Sequence, residues 1–308
     1  MTAKEVANAI RSMEIRGAAE IARRAATALK EEALAYSGKD IKEFKQGMDI
    51  SKGILLDSRP TAVSLWNGVQ SVFKKTSEIN ELEMYRSALV RNADEFVTRS
   101  NEALKIIGHL GANRMKDGDR VLTHCNSKAA LGAIITAWQE GKKIEAVVTE
   151  SRPWGQGVLS ANDLAKAGVP TTMIIDSAVR YAMKNIDVVF VGADTICSNG
   201  ALINKIGTSQ VALAAHEARV PFMVCAETFK FSPRTIYGEM VKIEERNATE
   251  IVKPGEIPSS VKIFNPVFDA TPPEYIDSIV TEVGVIPPFA AYEIIVRELG
   301  QEFVFNEH

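Results

Sequence analysis

Residues 119–128 read DRVLTHCNSK, and they stand where the pattern of the chain changes from helical to alternating strand and helix. Val121 and Leu122 belong to a short apolar run, and a helical pattern opens near Ala129. Cys125 is therefore predicted to lie between the end of a strand and the start of a helix. In open α/β sheets, ligands bind beyond the carboxyl ends of the strands. The N–H groups and the dipole of the following helix favour anions there, and they also stabilise a thiolate.

Residues 188–194 read VVFVGAD and have the same form, a buried strand that delivers one acid, Asp194. A thiol and a carboxylate at neighbouring strand ends indicate a two-group acid–base site. The residues alone leave a second interpretation open for each side chain: Cys125 could be an inert core thiol, and Asp194 could cap a turn. His124 precedes Cys125, but neighbouring strand residues point to opposite faces, so His124 is interpreted as a packed histidine.

Five short β-branched runs follow Gly118, and helical patterns separate them. This alternation predicts an α/β fold, a Rossmann-like domain over residues 117–308 with a parallel sheet covered on both faces. Cys225 lies deep in the last run and is interpreted as a core residue. The predicted strands lie at 121–123, 146–149, 171–175, 188–191 and 222–225, with helices near 127–141, 160–168, 177–184, 206–218 and 290–299.

Residues 1–116 are predicted to form an N-terminal helical domain. Apolar residues recur there at spacings of three and four, and the stretch 37–40 ends the first long pattern. Pro60 suits the first turn of a helix, where its missing N–H is not needed. The predicted helices lie at 18–36, 40–54, 61–76 and 80–115.

Two loops in this helical part place an arginine just before a helix start, one at Arg16 and one at Arg59. A guanidinium beside free helix N–H groups suits phosphate, although the spacing alone favours a solvated surface arginine at each loop. At another helix start, Lys205 and backbone N–H groups could hold an oxyanion. The cations in such loops together indicate a small polyanion with more than one phosphate, and they are Arg59, Lys128, Arg152, Lys205 and Lys230.

The 308 residues are 46% hydrophobic with a net charge of -3, which gives no support for a general nucleic-acid or membrane-surface binder. No apolar run reaches the roughly 18 residues of a membrane span, and the first residues lack the apolar core of a signal peptide. Three scattered cysteines do not suit a disulfide framework or a zinc site. A reduced cytoplasmic protein is expected.

Neither GxGxxG nor GxxxxGK[ST] occurs in the chain, so no nicotinamide or nucleoside triphosphate site is expected. The sequence also shows no cluster of metal ligands. Neither a cofactor nor a metal is therefore expected, which fits an isomerase that only moves protons.

Six ordered motifs extend over nearly the whole chain. They are Arg16-Gly17-Ala18, Thr123-His124-Cys125-Asn126, Glu150-Ser151-Arg152-Pro153, Gly192-Ala193-Asp194, Asn204-Lys205-Ile206-Gly207-Thr208 and Ala226-Glu227-Thr228-Phe229-Lys230. Together they resemble a superfamily that joins three groups. These are the methylthioribose-1-phosphate isomerases, the archaeal ribose-1,5-bisphosphate isomerases and the regulatory subunits of the exchange factor that acts on translation initiation factor 2.

Within that superfamily, the pair Cys125 and Asp194 favours an enzyme, because the regulatory subunits typically lack it. Methylthioribose-1-phosphate isomerases usually have a Gly-Ala pair soon after the Cys-Asn and lack Glu-Thr-Phe-Lys. This chain has Ser127, Lys128 and the Glu-Thr-Phe-Lys of residues 227–230. The lysines suit a second phosphate, whereas a methylthio group would prefer an apolar lining. The resemblance thus favours conversion of ribose 1,5-bisphosphate to ribulose 1,5-bisphosphate in AMP and nucleoside salvage, with the other two groups as alternatives.

The resemblance implies that Asp194 donates a proton to the ring oxygen and that Cys125 accepts a proton from C2. Asp194 would have to hold a proton near neutral pH, and Cys125 would have to be a thiolate whose pKa is lowered by cations and a helix N-terminus. A homo-oligomer, either a dimer or a hexamer, and activation by AMP are also implied. The implied substrate-binding residues are Arg16, Gly17, Ala18, Ala19, Arg59, Ser127, Lys128, Ala129, Arg152, Asn204, Lys205 and Lys230.

Overall fold

The computed structural model describes residues 1–237 and 241–299, and the chain divides into two compact units, Met1–Ala103 and Leu104–His308. The division falls inside one long helix, Leu82–Ala112. The last turns of that helix join the core of the second unit, because Ile107 and Ala112 pack in the same cluster as the sheet residue Phe190. The predicted boundary at residue 116 lies just beyond this helix, and the extent of the two domains stays a prediction.

The N-terminal unit is helical, and its capping residues explain where two of its helices begin. Thr2 and Glu5 form a capping box at the start of the first helix, and the Asp40 side chain accepts N–H hydrogen bonds at the start of the third. The helices are α1 (Ala3–Arg11), α2 (Ala18–Ala35), α3 (Ile41–Leu56), α4 (Val63–Phe73) and α5 (Leu82–Ala112).

Pro60 lies in a turn and not in the first turn of a helix. Helix α4 begins at Val63 with Ala62 as its N-cap, and the Ala62 N–H donates to the Arg59 carbonyl at 3.0 Å. The prediction for Pro60 was wrong because a proline suits a turn as well as a helix start, and here the turn precedes the helix.

The second unit is built on a sheet whose strands are mostly parallel. Among the described residues the strands are β1 (Arg120–Thr123), β2 (Glu145–Thr149), β3 (Thr171–Ile174), β4 (Val188–Val191), β5 (Thr195–Ile196), β6 (Leu202–Lys205), β7 (Phe222–Cys225), β8 (Phe268–Thr271), β9 (Ser278–Thr281) and β10 (Gly284–Ile286). The main sheet has the order β10-β9-β7-β4-β1-β2-β3. All its pairs are parallel except β9 with β10.

Both faces of this sheet are covered, as the apolar runs predicted. Successive residues of one strand pack on opposite faces of the sheet. Leu122 lies in one buried cluster, and its neighbour Val121 lies in the other. Cys225 is fully buried in the second cluster, which confirms its interpretation as a core residue. The α-helices of this unit are α6 (Lys128–Gln139), α7 (Gln156–Lys166), α8 (Val179–Ala182), α9 (Thr208–Ala218) and α10 (Ala291–Ile294), which continues as a π-helix over Ile295–Leu299.

The sequence patterns located five of these strands, loops with a short strand were expected over 265–273 where β8 lies, and the other four strands were missed. Strands β5, β6 and β8 form a separate antiparallel sheet, and β9 and β10 extend the main sheet at one edge. Strand β5 is only two residues long and exists because Thr195 and Ile196 pair with Ile203 and Leu202 of β6. Such a short strand is defined by its partner and not by a periodic pattern of its own.

Candidate active site

Cys125 and Asp194 follow adjacent strands at the carboxyl edge of the main sheet. Cys125 comes two residues after β1, and Asp194 comes three residues after β4. Strand β1 pairs with β2 on one side and with β4 on the other, so the order of the strands reverses between β1 and β4. A crevice forms at such a switch point and is where ligands bind in open α/β sheets. The predicted strand-end positions of both residues are confirmed.

The backbone of Cys125 is held on both sides by serine hydroxyls. The Cys125 N–H donates to Ser151 Oγ at 2.7 Å, and the Cys125 carbonyl accepts from Ser160 Oγ at 2.7 Å. Asn126 Nδ2 donates to the same Ser160 hydroxyl at 3.0 Å. Cys125 has a φ of 68°, in the left-handed region that a non-glycine residue seldom adopts. These contacts fix the thiol-bearing residue in an unusual conformation.

The Cys125 thiol is protonated at neutral pH in this structure. Burial raises its pKa to about 11, and the charge of Lys205 and the Asn126 N–H lower it only in part. The expectation of a thiolate was therefore wrong for the chain by itself. Loss of hydration outweighs the nearby cation because a buried thiolate has little solvent to stabilise it. Asp194 also acts electrostatically on the thiol, so the two strand-end residues are within reach of each other's charge.

His124 is a packed histidine, as interpreted. Its side chain is 2% exposed, Nδ1 lies 2.6 Å from Thr149 Oγ1, and Nε2 lies 2.9 Å from the Ile206 carbonyl. Burial lowers its pKa, so the ring is neutral near pH 7. Both ring nitrogens are engaged in hydrogen bonds within the fold, so His124 is not positioned to act as the base for Cys125.

Asp194 stands at a crowded point of the crevice. Its N–H donates to the Ile203 carbonyl at 3.1 Å and so joins β4 to the small antiparallel sheet. A Cβ on Gly192, two residues earlier, would lie 2.2 Å from Ser127 Oγ. The loops after β1 and β4 are thus in close contact, which supports the prediction that Ser127 and Asp194 belong to one site.

The start of α9 is already occupied by a carboxylate. Asp269 accepts from the Gly207 N–H at 2.8 Å, from the Ser209 N–H at 3.2 Å and from Ser209 Oγ at 2.9 Å. Asp269 thus takes the Gly207 and Ser209 N–H groups, so an oxyanion here would depend on Lys205 and the remaining backbone N–H groups, and its binding stays a prediction. Asn204 also bonds internally, from Nδ2 to Thr208 Oγ1 at 3.1 Å. Lys205 itself lies near the Cys125 thiol, whose pKa it lowers.

Lys230 is buried and paired. Its Nζ lies 2.7 Å from Glu227 Oε2, and the two side chains are 7% and 1% exposed. The sequence predicted Lys230 as a phosphate-binding cation, which stays a prediction, and the structure adds an internal carboxylate partner.

Arg152, another predicted phosphate-binding cation of this unit, is exposed. Its Nη2 donates to the Ile251 carbonyl at 3.3 Å. Its N–H donates to Asp176 Oδ2 at 2.8 Å. Lys128 is the exposed first residue of α6, whose N-cap Ser127 accepts from the Ala130 N–H. Ala129 is 2% exposed, so only its backbone could reach a ligand.

In the N-terminal unit, the two arginine loops lie side by side. Ser64 Oγ at the start of α4 donates to the Ala18 carbonyl at the start of α2, at 2.9 Å. Gly17 is the N-cap of α2 with a φ of 84°, and Arg16 Nε donates to the Met13 carbonyl at 2.7 Å. Ala19 follows in the first turn of α2, and Arg59 lies in the turn before α4. That Arg16 and Arg59 precede helix starts is confirmed, and their binding of phosphate stays a prediction.

Four polar residues of the site were not found from the sequence. Ser151 stands beside Arg152 in one of the six motifs, while Ser160, Asp176 and Asp269 belong to none of them. Their partners are 24 to 62 residues away along the chain, which no local pattern encodes. Within residues 1–237 and 241–299, no group of three or more His, Cys, Asp or Glu side chains could hold a metal ion. Over the same residues, no helix is long and apolar enough to cross a bilayer.

The fold and the strand-end residues define the class of this protein, and comparison with known proteins agrees. Residues 14–288 match the model of the Initiation factor 2 subunit family, and the chain belongs to this family. A curated relative from Methanocaldococcus jannaschii, a ribose 1,5-bisphosphate isomerase, is 52% identical over 96% of this chain and 95% of its own length.

Two solved structures from Pyrococcus horikoshii OT3 share the fold. The translation initiation factor eIF-2B superposes with a TM-score of 0.80 at 30% identity, covering 93% of this chain and 97% of that one. The 5-methylthioribose 1-phosphate isomerase superposes with a TM-score of 0.79 at 31% identity, covering 97% and 87%. The resemblance stated from the motifs is confirmed.

Proposed function

We propose that this chain is an aldose–ketose isomerase that converts ribose 1,5-bisphosphate to ribulose 1,5-bisphosphate. The observation that carries the proposal is the pair Cys125 and Asp194 at the switch point of the sheet, in electrostatic reach of each other. The 52% identical relative from M. jannaschii carries the same activity in its name, and the match spans almost the whole of both chains.

The reaction requires four proton transfers, two by each of these side chains. Asp194 donates a proton to the ring oxygen as the bond from C1 to that oxygen breaks. Cys125, as a thiolate, removes the proton from C2 and leaves an enol between C1 and C2. The thiol then returns this proton to C1, and the Asp194 carboxylate takes the proton of the C2 hydroxyl as the ketone forms. Atoms and charge balance, and neither a cofactor nor a metal enters.

The high pKa of the Cys125 thiol means that substrate binding has to promote the thiolate. With a pKa of about 11, forming it at pH 7 costs about 5 kcal/mol. Lys205 already lowers this pKa, and closure of a site expels the water that competes with such a charge. Binding energy from the substrate phosphates is the source available for this step.

Lysine and arginine side chains are proposed to bind the two phosphates. Lys128 stands exposed beside the N-terminus of α6, and Lys230 is buried and paired with Glu227. A second phosphate on the substrate would find a cation at each of these places, whereas a methylthio group would meet unfavourable charge. The remaining proposed binding residues are Arg16, Gly17, Ala18, Ala19, Arg59, Ser127, Ala129, Arg152, Asn204 and Lys205.

The experiment is turnover of ribose 1,5-bisphosphate, followed as formation of ribulose 1,5-bisphosphate, with methylthioribose 1-phosphate in parallel. We expect ketose from the bisphosphate only, and Cys125→Ser should bind the substrate but lose turnover. Full activity of that variant would remove Cys125 from the mechanism. Turnover of only the methylthio sugar would move the chain to the second candidate, which the 31% identical isomerase structure favours. Absence of turnover with both sugars would favour a non-catalytic subunit.

We also propose a pathway, a regulator, a location and an assembly for this enzyme. A role in AMP and nucleoside salvage, activation by AMP, a cytoplasmic location and a dimeric or hexameric assembly are implied by the resemblance of the motifs. Turnover measured with and without AMP tests the activation, and light scattering of the purified chain tests the assembly.

A further inference from the structure

Two non-glycine residues beside the switch point have left-handed backbones. Cys125 has a φ of 68°, and Ser151, after the adjacent strand β2, has a φ of 61°. Such residues are under steric strain and persist only where surrounding contacts hold them. The Cys125 N–H and the Ser151 hydroxyl are joined by a 2.7 Å hydrogen bond, so the two strained residues depend on each other.

A series of buried hydrogen bonds runs from the Cys125 N–H to the Ile206 carbonyl, and each group in it donates to the next. His124 Nε2 faces a carbonyl, which can only accept, so Nε2 carries the proton of the neutral ring and Nδ1 accepts. Thr149 Oγ1 therefore donates to His124 Nδ1 at 2.6 Å. With the Thr149 proton directed at His124, Thr149 Oγ1 at 3.1 Å is the nearest acceptor for the Ser151 hydroxyl, ahead of His124 Nδ1 at 3.4 Å and the Thr149 carbonyl at 3.5 Å, and the Ser151 oxygen accepts the Cys125 N–H.

This series of hydrogen bonds is held in place at both ends. The side chains of His124, Thr149 and Ser151 are at most 2% exposed, so water does not compete for their partners. The Ser151 backbone is fixed separately, because its N–H donates to Asp176 Oδ1 at 2.8 Å. At the other end, Ile206 supplies the carbonyl that ends the series, next to Lys205.

We propose that Ser151 is a positioning residue for Cys125: its hydroxyl, oriented through Thr149 and His124, holds the left-handed backbone that presents the thiol to C2 of the sugar. The inference rests on the proposed function for its kinetic consequence. Ser151 does not contact the reacting atoms in this role, and it acts only through Cys125. A displacement of the thiol by about 1 Å is enough to lower turnover about a hundredfold.

The test separates the hydroxyl from the backbone at residue 151. Ser151→Ala removes the hydroxyl, and Ser151→Gly removes it while also relieving the strain at a φ of 61°. We expect both variants to lower kcat about 10- to 100-fold with KM for ribose 1,5-bisphosphate within about threefold, because the phosphate-binding side chains are intact. Wild-type kcat in either variant would overturn the proposal.

A second pair of variants tests the middle of the series and remains informative if residue 151 does not tolerate change. Thr149→Val keeps the shape but removes the hydroxyl, and it should lower kcat in the same way. Thr149→Ser keeps the hydroxyl and should stay within about threefold of wild type. Equal losses in the two variants would overturn the proposal. Ser100→Ala is the matched control, because Ser100 is equally buried and accepts from Arg23 in the N-terminal unit.

Hydrogen exchange gives a readout that needs no substrate. The Cys125 amide should exchange about tenfold faster in Ser151→Ala than in wild type, because its acceptor is gone, and Ser100→Ala should not change it. An unchanged exchange rate would overturn the proposal. If wild type fails to turn over ribose 1,5-bisphosphate, the proposed function fails, while the exchange rates still decide whether Ser151 holds the Cys125 backbone.

Discussion

Asp269 offers a sharp test of the electrostatics around the site, because its buried carboxylate accepts hydrogen bonds at the start of α9. Its carboxylate accepts three hydrogen bonds, from two backbone N–H groups and from the Ser209 hydroxyl. Burial nevertheless raises its pKa above the usual value, so these donors do not fully compensate for lost hydration. The hydrogen bonds are therefore favourable, while the charge itself is unfavourable.

Two substitutions separate these effects. Asp269→Ala removes every acceptor from the helix start, and it should lower the free energy of unfolding by about 2 to 3 kcal/mol, as for a lost N-cap with charge-assisted bonds. Asp269→Asn keeps one acceptor oxygen and removes the charge, so the loss at pH 7 should be about 1 kcal/mol or less. Asp163→Ala, at an exposed position in α7, is the control, and its free energy of unfolding should stay within about 0.5 kcal/mol of the wild-type value.

The assay is urea unfolding followed by tryptophan fluorescence and circular dichroism, repeated between pH 4 and pH 8. A carboxyl with a raised folded pKa contributes stability that is present below its unfolded pKa and is lost as the pH rises through the folded pKa. Wild type should therefore lose stability over that window relative to Asp269→Asn. If Asp269→Asn is as unstable at pH 7 as Asp269→Ala, the charge is net stabilising and the reasoning is refuted.

Three further predictions concern Cys125, His124 and Gly192. Alkylation of Cys125 by iodoacetamide, located by peptide mass, should rise about tenfold per pH unit from pH 7 to pH 10 because its pKa is about 11. A plateau near pH 8 would contradict this. The lowered pKa of His124 means that stability is present above the ordinary pKa of histidine and is lost as the pH falls below about 6.5, by up to about 1.4 kcal/mol per unit. Nitrogen NMR of the imidazole should show it mostly neutral at pH 6.5, where an ordinary histidine is half protonated, and a mostly protonated ring there would be the opposite result. Gly192→Ala places a Cβ 2.2 Å from Ser127 Oγ, so it should destabilise the chain by about 1 to 3 kcal/mol and reduce kcat. Thermal unfolding and turnover check this, and wild-type values for both would show that the two loops can separate.

The amino-acid sequence determined the parts of this protein that local patterns encode. The spacing of apolar residues predicted four helices of the N-terminal unit, though not α1, and the alternating strands and helices of the second. The positions of Cys125 and Asp194 at strand ends followed from the apolar runs before them. The order of six motifs was enough to indicate the family.

Only the tertiary structure decided the electrostatic state and the support of the site. Burial, and not the cations visible in the sequence, sets the pKa of Cys125. Asp269 reaches the start of α9 from 62 residues away, and Ser151 reaches Cys125 from 26 residues away. The sequence shows which side chains are available, but hydration and hydrogen bonding depend on which distant groups the fold brings together. The partner of a loop cation such as Lys230 is likewise decided by its neighbours in space.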